Sequence, residues 1–233
     1  MKIGIITHYD VHNHGALLQL NALIQVLKKE FNAEAKALQY DKNYDFLGVE
    51  LKAKYVLSFK SIKIYFQYLF QRGLQLFFFN IKKKRLFESF KRGANLVGEY
   101  YSTCKHMDAI IIGSDEVFAL HTGPTPALFG HALPTNKVFS YAGCFGPTTL
   151  EDINELHCEA LVRSGLNNMI GLGMRDQNSC MIAKSLTNRS ATLNVDPVIL
   201  YGYQSELESL SAPKLCKYLL VYAYETRIND HKE

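Results

Sequence analysis

Four short polar turns follow apolar runs in this chain, and they carry the residue types that proton transfer and anion binding need. Asn13-His14-Gly15-Ala16 comes after an apolar run at 2–7. Gly113-Ser114-Asp115 follows Ala109-Ile110-Ile111-Ile112, Gly143-Cys144 follows 138–142, and Arg175-Asp176 follows 169–173. A carboxylate such as Asp115 at a strand end can take the proton of an attacking hydroxyl; its other ordinary use is to cap a helix. His14 could serve as acid or base instead, because imidazole titrates near neutrality. Arg175 could grip a phosphate or carboxylate with two parallel hydrogen bonds, or simply form an ion pair within the fold. The turn at Asn13 opens a helix, whose first N–H groups are available to an anion or a sugar oxygen, and Gly15 lets the backbone come close. Without a ligand it is a plain strand–helix turn. Nothing in the sequence marks Cys144 as reactive, so it reads as a small packed side chain. His8, His12 and His14 have no carboxylate or cysteine at ligand spacing, and no metal site is expected. Asp196-Pro197 reads as a turn that ends a strand.

The elements that must hold these turns follow from hydrophobic spacing. Residues 2–7 make a buried strand. Leu17, Leu20, Leu23, Ile24 and Leu27 recur at helical spacing between Gly15 and Phe31, with Lys28 and Lys29 suiting the C-terminal end. Residues 35–40 can be a second strand. Strand, helix and strand within 40 residues form a βαβ unit and argue for a parallel sheet. Further strands are expected at 109–113, 138–142, 169–173 and 192–195. A helix is expected over Leu150–Val162, capped by Thr148 or Thr149, and another from about Asn178 to Ser185. If all these strands are parallel, the four turns meet at one edge of the sheet, where open α/β sheets bind ligands.

Length and composition bound the rest. The chain has 233 residues, 48% hydrophobic and 21% charged, which is an ordinary globular composition. The net charge of +4 is too mild to argue for nucleic acid. It is uneven, however: residues 51–95 hold 11 Lys/Arg against Glu88 alone. The basic, aromatic stretch 55–92 contains no proline and should be helical, broken near Gly73. Three readings stand for it: core with a solvated lysine face, a surface lying on anionic membrane, or a site for an acidic polymer. Five cysteines, an odd number with no CxxC pair, fit reduced thiols in the cytosol. The N-terminus is too quickly polar for a signal peptide, and the run Gly73–Ile81 is far below the ~20 residues that span a bilayer. After a polar stretch, Tyr218–Tyr224 reads as the first strand of a second domain cut off here.

Several stretches resemble the polysaccharide pyruvyl transferase family. They are Lys2–Ile5 with Asn13–Ala16, Gly113–Phe118, Ser140–Gly146, Arg175-Asp176, Val195–Pro197 and Tyr218–Tyr222, in family order along nearly the whole chain. Phe118, Cys144 and Asp176 stand where that family usually has Trp, Ser and Glu. The resemblance implies an α/β, Rossmann-like parallel sheet with helices on both faces, the N-terminal half of a GT-B-like two-domain architecture. On that basis 1–203 is the acceptor-side domain with a basic helical insertion at 51–95, 204–216 a linker, and 217–233 the start of a second domain.

The implied reaction moves pyruvate from phosphoenolpyruvate onto hydroxyls of a cell-surface polysaccharide or its lipid-linked precursor, with no cofactor, in the cytoplasm or at the inner face of the membrane. Asp115 or His14 would handle the hydroxyl proton. Asn13, Gly15, Ser114, Tyr141 and Arg175 would bind substrate, with Asn13 and Tyr141 orienting the sugar. Two other readings remain open: a glycosyltransferase using a nucleotide sugar, and a non-catalytic sugar-binding module.

Overall fold

A strand buried on both sides must send alternate side chains into two different cores, and the central strands of this chain do so. The computed structural model describes residues 1–11, 13–41 and 59–211, with backbone alone for 59–72 and 122; His12, 42–58 and 212–233 lie outside it. Strands β1 (Lys2–Ile6), β2 (Glu34–Gln39), β3 (Val97–Tyr100), β4 (Ala109–Ile112) and β5 (Val138–Ser140) form one sheet in the order β3-β2-β1-β4-β5. Every neighbouring pair is parallel. This is the Rossmann-type order, and it reverses direction between β1 and β4. A short parallel pair, β6 (Gly173–Met174) and β7 (Thr192–Leu193), adjoins β5 through single bridges at Phe139–Gly171 and Gly143–Met174. The strands expected at 2–7, 109–113, 138–142 and 192–195 are present but shorter, that at 35–40 is shifted by one residue, and that at 169–173 survives as Gly173–Met174 with a single bridge at Gly171. β3 has no clear signature, because Val97-Gly98-Glu99-Tyr100 carries glycine and only one aliphatic side chain.

Ile3 and Ile5 of β1 and Ala35 and Ala37 of β2 enter one core, where Leu20, Leu23, Ile24 and Leu27 of α1 (His14–Phe31) cover them. Ile6, Leu38, Ile110, Ile112 and Val138 face the other core. There they meet Val162 and Leu166 of α4 (Glu159–Asn168) and Ile182, Ala183 and Leu186 of α5 (Gln177–Thr187). Helices therefore lie on both faces. Each Leu or Ile taken out of water in this way contributes about 1.5–3 kcal/mol relative to exposure. The β4–β5 connection also runs on the second face, as 3-10 turns at Leu120–Thr122 and Pro126–Phe129. On the α1 face this leaves a groove of about 850 Å³ over Ile111 and Phe139, between α1 and α6 (Pro197–Tyr201).

The helix expected over 150–162 is two helices. Thr149 caps α3 (Leu150–Glu155) in a reciprocal box with Asp152, and the chain breaks at His157, whose φ is 52°, before α4 begins. The basic stretch is the helix α2 (Phe59–Gly93), interrupted at Gly73 as its sequence implies. Its last turns dock on the domain: Phe87 is buried, and Lys91 pairs with Glu88 at 2.7 Å and with Asp10 at 3.6 Å. The chain divides into compact units at Met1–Gly202 and Tyr203–Glu233. Of the second, a short helix α7 (Gln204–Ser209) is described; the strand expected from 217 lies outside the described residues.

Gly165 offers a test of the packing. In a helix interior Gly→Ala ordinarily stabilises by roughly 0.5–1 kcal/mol. Here a Cβ on Gly165 would collide with the backbone carbonyl oxygen of Phe129, which cannot swing away. Gly165→Ala should therefore destabilise by about 1–3 kcal/mol, read as a lower urea midpoint. A higher midpoint would mean that α4 does not press on the 126–129 turn.

Candidate functional site

Parallel strands end at a common edge, and the strand order reverses between β1 and β4, the point at which open α/β sheets bind ligands. The two loops beside it are stapled together. Thr7 donates from Oγ1 to the carbonyl of Ser114 at 2.9 Å, and Gly113 N–H donates to Ile6 O at 3.0 Å. On the other side Tyr141 N–H donates to Ile112 O and Cys144 N–H to Asp115 O. Gly113 is confined to glycine twice over: its φ is 119°, and a Cβ would strike the carbonyl oxygen of Tyr141. The backbone at Asp115 is consequently held from both sides. Its own φ of 83° is in a region that costs a non-glycine residue of order 1–3 kcal/mol.

Asp115 caps no helix. The residues after it form a turn, and the 3-10 helix beyond starts only at Leu120, with Ala119 as its cap. Its carboxylate instead faces Arg175, with Oδ1 at 3.8 Å from Nη1. The same Nη1 is 3.5 Å from Asp196 Oδ2, and Nη2 donates to the Cys144 sulfur at 3.0 Å. Arg175, Asp115 and Asp196 keep 26%, 21% and 19% of their side-chain surface, so the group is recessed yet open to a ligand. Burial pulls the Arg175 pKa down, but the Cys144 sulfur first, then the Asp115 and Asp196 carboxylates, outweigh that and raise it. Burial also pushes the Cys144 thiol up, only partly countered by Arg175. Cys144 is thus a neutral thiol near pH 7, and it holds Arg175 as a sulfur acceptor beside the two carboxylates.

Two more residues join this group: Gln19, which has no sequence signature, and Asp196, which the sequence marks only as part of a turn. Gln19 of α1 donates from Nε2 to Asp196 Oδ2 at 2.6 Å and accepts the Ser114 hydroxyl at 3.2 Å. A glutamine on a helix looks like any solvated position. Asp196 does cap α6, through Val198 N–H at 2.9 Å, as a turn residue would, but its second oxygen serves Arg175. Tyr141 donates its hydroxyl to Val195 O at 3.1 Å and so braces the Asp196 turn. Burial, then the nearby Asp196 charge, raises the Tyr141 pKa. Asp176 is the N-cap of α5, accepting from Ser179 N–H at 2.8 Å.

The structure thus gathers Ser114, Asp115, Tyr141 and Arg175 of the expected site and adds Gln19, Asp196 and Cys144. Ser114 is buried, with its hydroxyl spent on Gln19. Asn13 caps α1 by accepting from Gly15 N–H at 2.8 Å, which leaves its side-chain NH₂ to donate outward. His14 is exposed, and its ring meets Phe87 of α2 edge-on at 4.7 Å; among the described residues it makes no hydrogen bond to Asp115. The described residues contain no group of three His, Cys, Asp or Glu able to hold a metal ion, and no helix long and apolar enough to cross a membrane.

Alkylation measures the state of the thiol. Because burial raises the Cys144 pKa above its ordinary value of 9.0, the rate of its modification by iodoacetamide should still be climbing past pH 9. Arg175→Ala, by removing the countering charge, should move the inflection higher still. A plateau below pH 8 would show that Cys144 is a thiolate under working conditions.

A family model described as polysaccharide pyruvyl transferase matches residues 13–230. No curated protein and no solved structure matches the chain.

Proposed function

Because the chain belongs to the polysaccharide pyruvyl transferase family, we propose that it takes pyruvate from phosphoenolpyruvate and closes it as a ketal across two hydroxyls of a saccharide. The observation that supports this most is the placing of Asp115. It sits at the reversal point of the sheet, caps no helix, and faces the one arginine of the group. In the reaction the methylene carbon of the donor gains a proton and becomes a methyl group. The first sugar hydroxyl attacks the neighbouring carbon while Asp115 takes its proton, which returns to solvent and balances the proton the methylene carbon drew from it. The carbon–oxygen bond to phosphate breaks, the second hydroxyl closes the ring, and its proton leaves with phosphate. Arg175 suits the donor's carboxylate or phosphate. Asn13, with its free NH₂, and the N–H groups opening α1 at Gly15 suit sugar oxygens. Tyr141 and Ser114 donate their protons within the protein, so toward a substrate they offer acceptor lone pairs. His14, on the first turn of α1, is the alternative base.

Asp115→Asn in the full-length protein keeps the shape and removes the base. Turnover should fall by roughly 10²–10⁴-fold with the melting temperature nearly unchanged, since Asn tolerates positive φ at least as well as Asp. The assay follows phosphate released from phosphoenolpyruvate and the ketal methyl signal on the polysaccharide. Near-normal turnover would leave His14 as the base. Nucleotide release from a nucleotide sugar would point to a glycosyltransferase, and saccharide binding without turnover to a non-catalytic module.

A cytoplasmic setting suits this donor, and the four described cysteines, Cys104, Cys144, Cys158 and Cys180, are all free. The proposed acceptor includes a lipid-linked form, and the exposed half of α2 supports contact with an anionic membrane. Phe87 and Phe90 are taken up by the domain, but Leu74, Phe78 and Phe79 remain 65%, 63% and 59% exposed. The basic run Lys82-Lys83-Lys84-Arg85 follows within a turn, and residues 51–87 contain no acid. Exposed aromatics next to lysines suit the interface of an anionic bilayer. The full-length protein should bind phosphatidylglycerol vesicles in a salt-sensitive way. Changing these four bases to Gln should weaken binding by up to ~1 kcal/mol per charge. Equal binding to neutral phosphatidylcholine vesicles, or none at low salt, would return the stretch to ordinary surface.

A further inference from the structure

An anionic donor at Arg175 meets an electrostatic difficulty. Asp115 and Asp196 bring two negative charges within 3.8 and 3.5 Å of a single guanidinium, so the group as a whole carries excess negative charge. A guanidinium fully drawn onto its carboxylates would have little left to offer a phosphate. What keeps Asp196 from claiming Arg175 outright is that its oxygens have other partners. Oδ1 accepts from Val198 N–H at 2.9 Å, and Oδ2 accepts from Gln19 Nε2 at 2.6 Å, a much shorter contact than the 3.5 Å to Arg175. Gln19 cannot turn its amide over without setting its oxygen against Asp196 Oδ2, which can only accept, whereas the Ser114 hydroxyl serves either way. Ser114 in turn belongs to the loop whose backbone carries Asp115. One neutral side chain on α1 therefore touches both carboxylate loops and sets how tightly each holds the arginine.

We propose that Gln19 is a positioning residue that acts through Asp196 and Ser114 to keep Arg175 available to the carboxylate or phosphate of the anionic donor. This rests on the reading of Arg175 as the donor-binding group. Gln19 matters because it is neutral and donates to Asp196. A residue that only filled space there, or only tied α1 to the sheet edge, would not need to be a donor.

Gln19→Glu separates these roles, because it differs from Gln only in what it carries at Oδ2 of Asp196. When ionised it sets a third carboxylate against Asp196 and Arg175. When protonated it donates as the amide did. Of the titratable side chains in the group, Gln19 touches Asp196; Arg175 and Tyr141 lie next to Asp196, Asp115 and the neutral Cys144 thiol lie on Arg175, and Asp176 lies beyond Cys144. Two carboxylates sharing one site hold a proton to higher pH than either does alone, so recovery should set in above the ordinary Glu range.

The probe is phosphoenolpyruvate binding by calorimetry to the full-length protein. Each variant is compared with wild type at the same pH, which cancels the donor's own ionisation. At pH 8 Gln19→Glu should bind about tenfold more weakly or worse, and at pH 5.5 it should come back to within about threefold. Gln19→Met, which cannot donate at any pH, should show a constant deficit. If the ratio of Gln19→Glu to wild type does not change with pH, or both variants bind as wild type does, the positioning role is wrong while the donor reading stands. If wild type itself does not bind phosphoenolpyruvate, the donor reading fails first. Should Gln19→Glu not fold, Gln19→Met decides: weakened binding at an unchanged melting temperature supports the role, and wild-type affinity overturns it.

Discussion

The pairing of β1 with β4 is the constraint from which the rest of the domain follows. Ile3 to Ile6 run in register beside Ala109 to Ile112, so both strands end together; β1 is buried on two faces, and β4 on one face with the other half-buried. Gly4 makes this possible in the middle of the pair. A side chain there would press into Leu38 and Ile110, which fill the space instead. Once the strands end side by side, the loops after them have one place to go. Thr7 reaches the Ser114 carbonyl, and the chain at Gly113 is squeezed between Ile6 and Tyr141. The strained backbone at Asp115 persists because these bonds hold it from both sides. Strain of this kind is stable only where the surroundings over-determine it.

The charges at this edge are arranged by the same geometry. Arg175 comes from the loop after β6, Asp115 from the loop after β4 and Asp196 from the loop after β7, so three separate strands contribute to one ion group. None of the three could find the others locally. Their partial burial makes the interaction count, since screening by water would leave an exposed pair worth little. It also fixes a division of labour. The thiol of Cys144 is kept neutral by burial, so it contributes a sulfur acceptor and no charge.

The basic helix stands apart from this logic. Its C-terminal turns are part of the domain, through Phe87 and the Lys91 ion pairs. Its middle offers aromatic side chains to solvent beside a run of bases. His14 lies against this helix rather than in the Asp115 group, which brings the first turn of α1 and the basic insertion into one neighbourhood. Any partner that settles on α2 would therefore lie close to the residues that open the site.

Local sequence determined a good deal here. The short apolar runs at 2–7, 109–113 and 138–142 could only be buried strands, and the helical spacing from Leu17 to Leu27 could only be a one-sided helix. Parallel pairing and the common edge then follow from connection length. Glycine at 73 marked the break in α2, and Thr149 with Asp152 marked the start of α3, because caps and breaks act within a few residues. The tertiary structure decided what depends on distance in space. It split 150–162 at His157, whose backbone takes a left-handed φ of 52°. It made an edge strand of Val97–Tyr100, which β2 pairs with although its own pattern is weak. Above all it took Gln19 and Asp196, 177 positions apart, and joined them at 2.6 Å beside Arg175. Neither residue type nor spacing along the chain can announce such a bond, since what creates it is the meeting of a helix and a loop that only the folded sheet brings together.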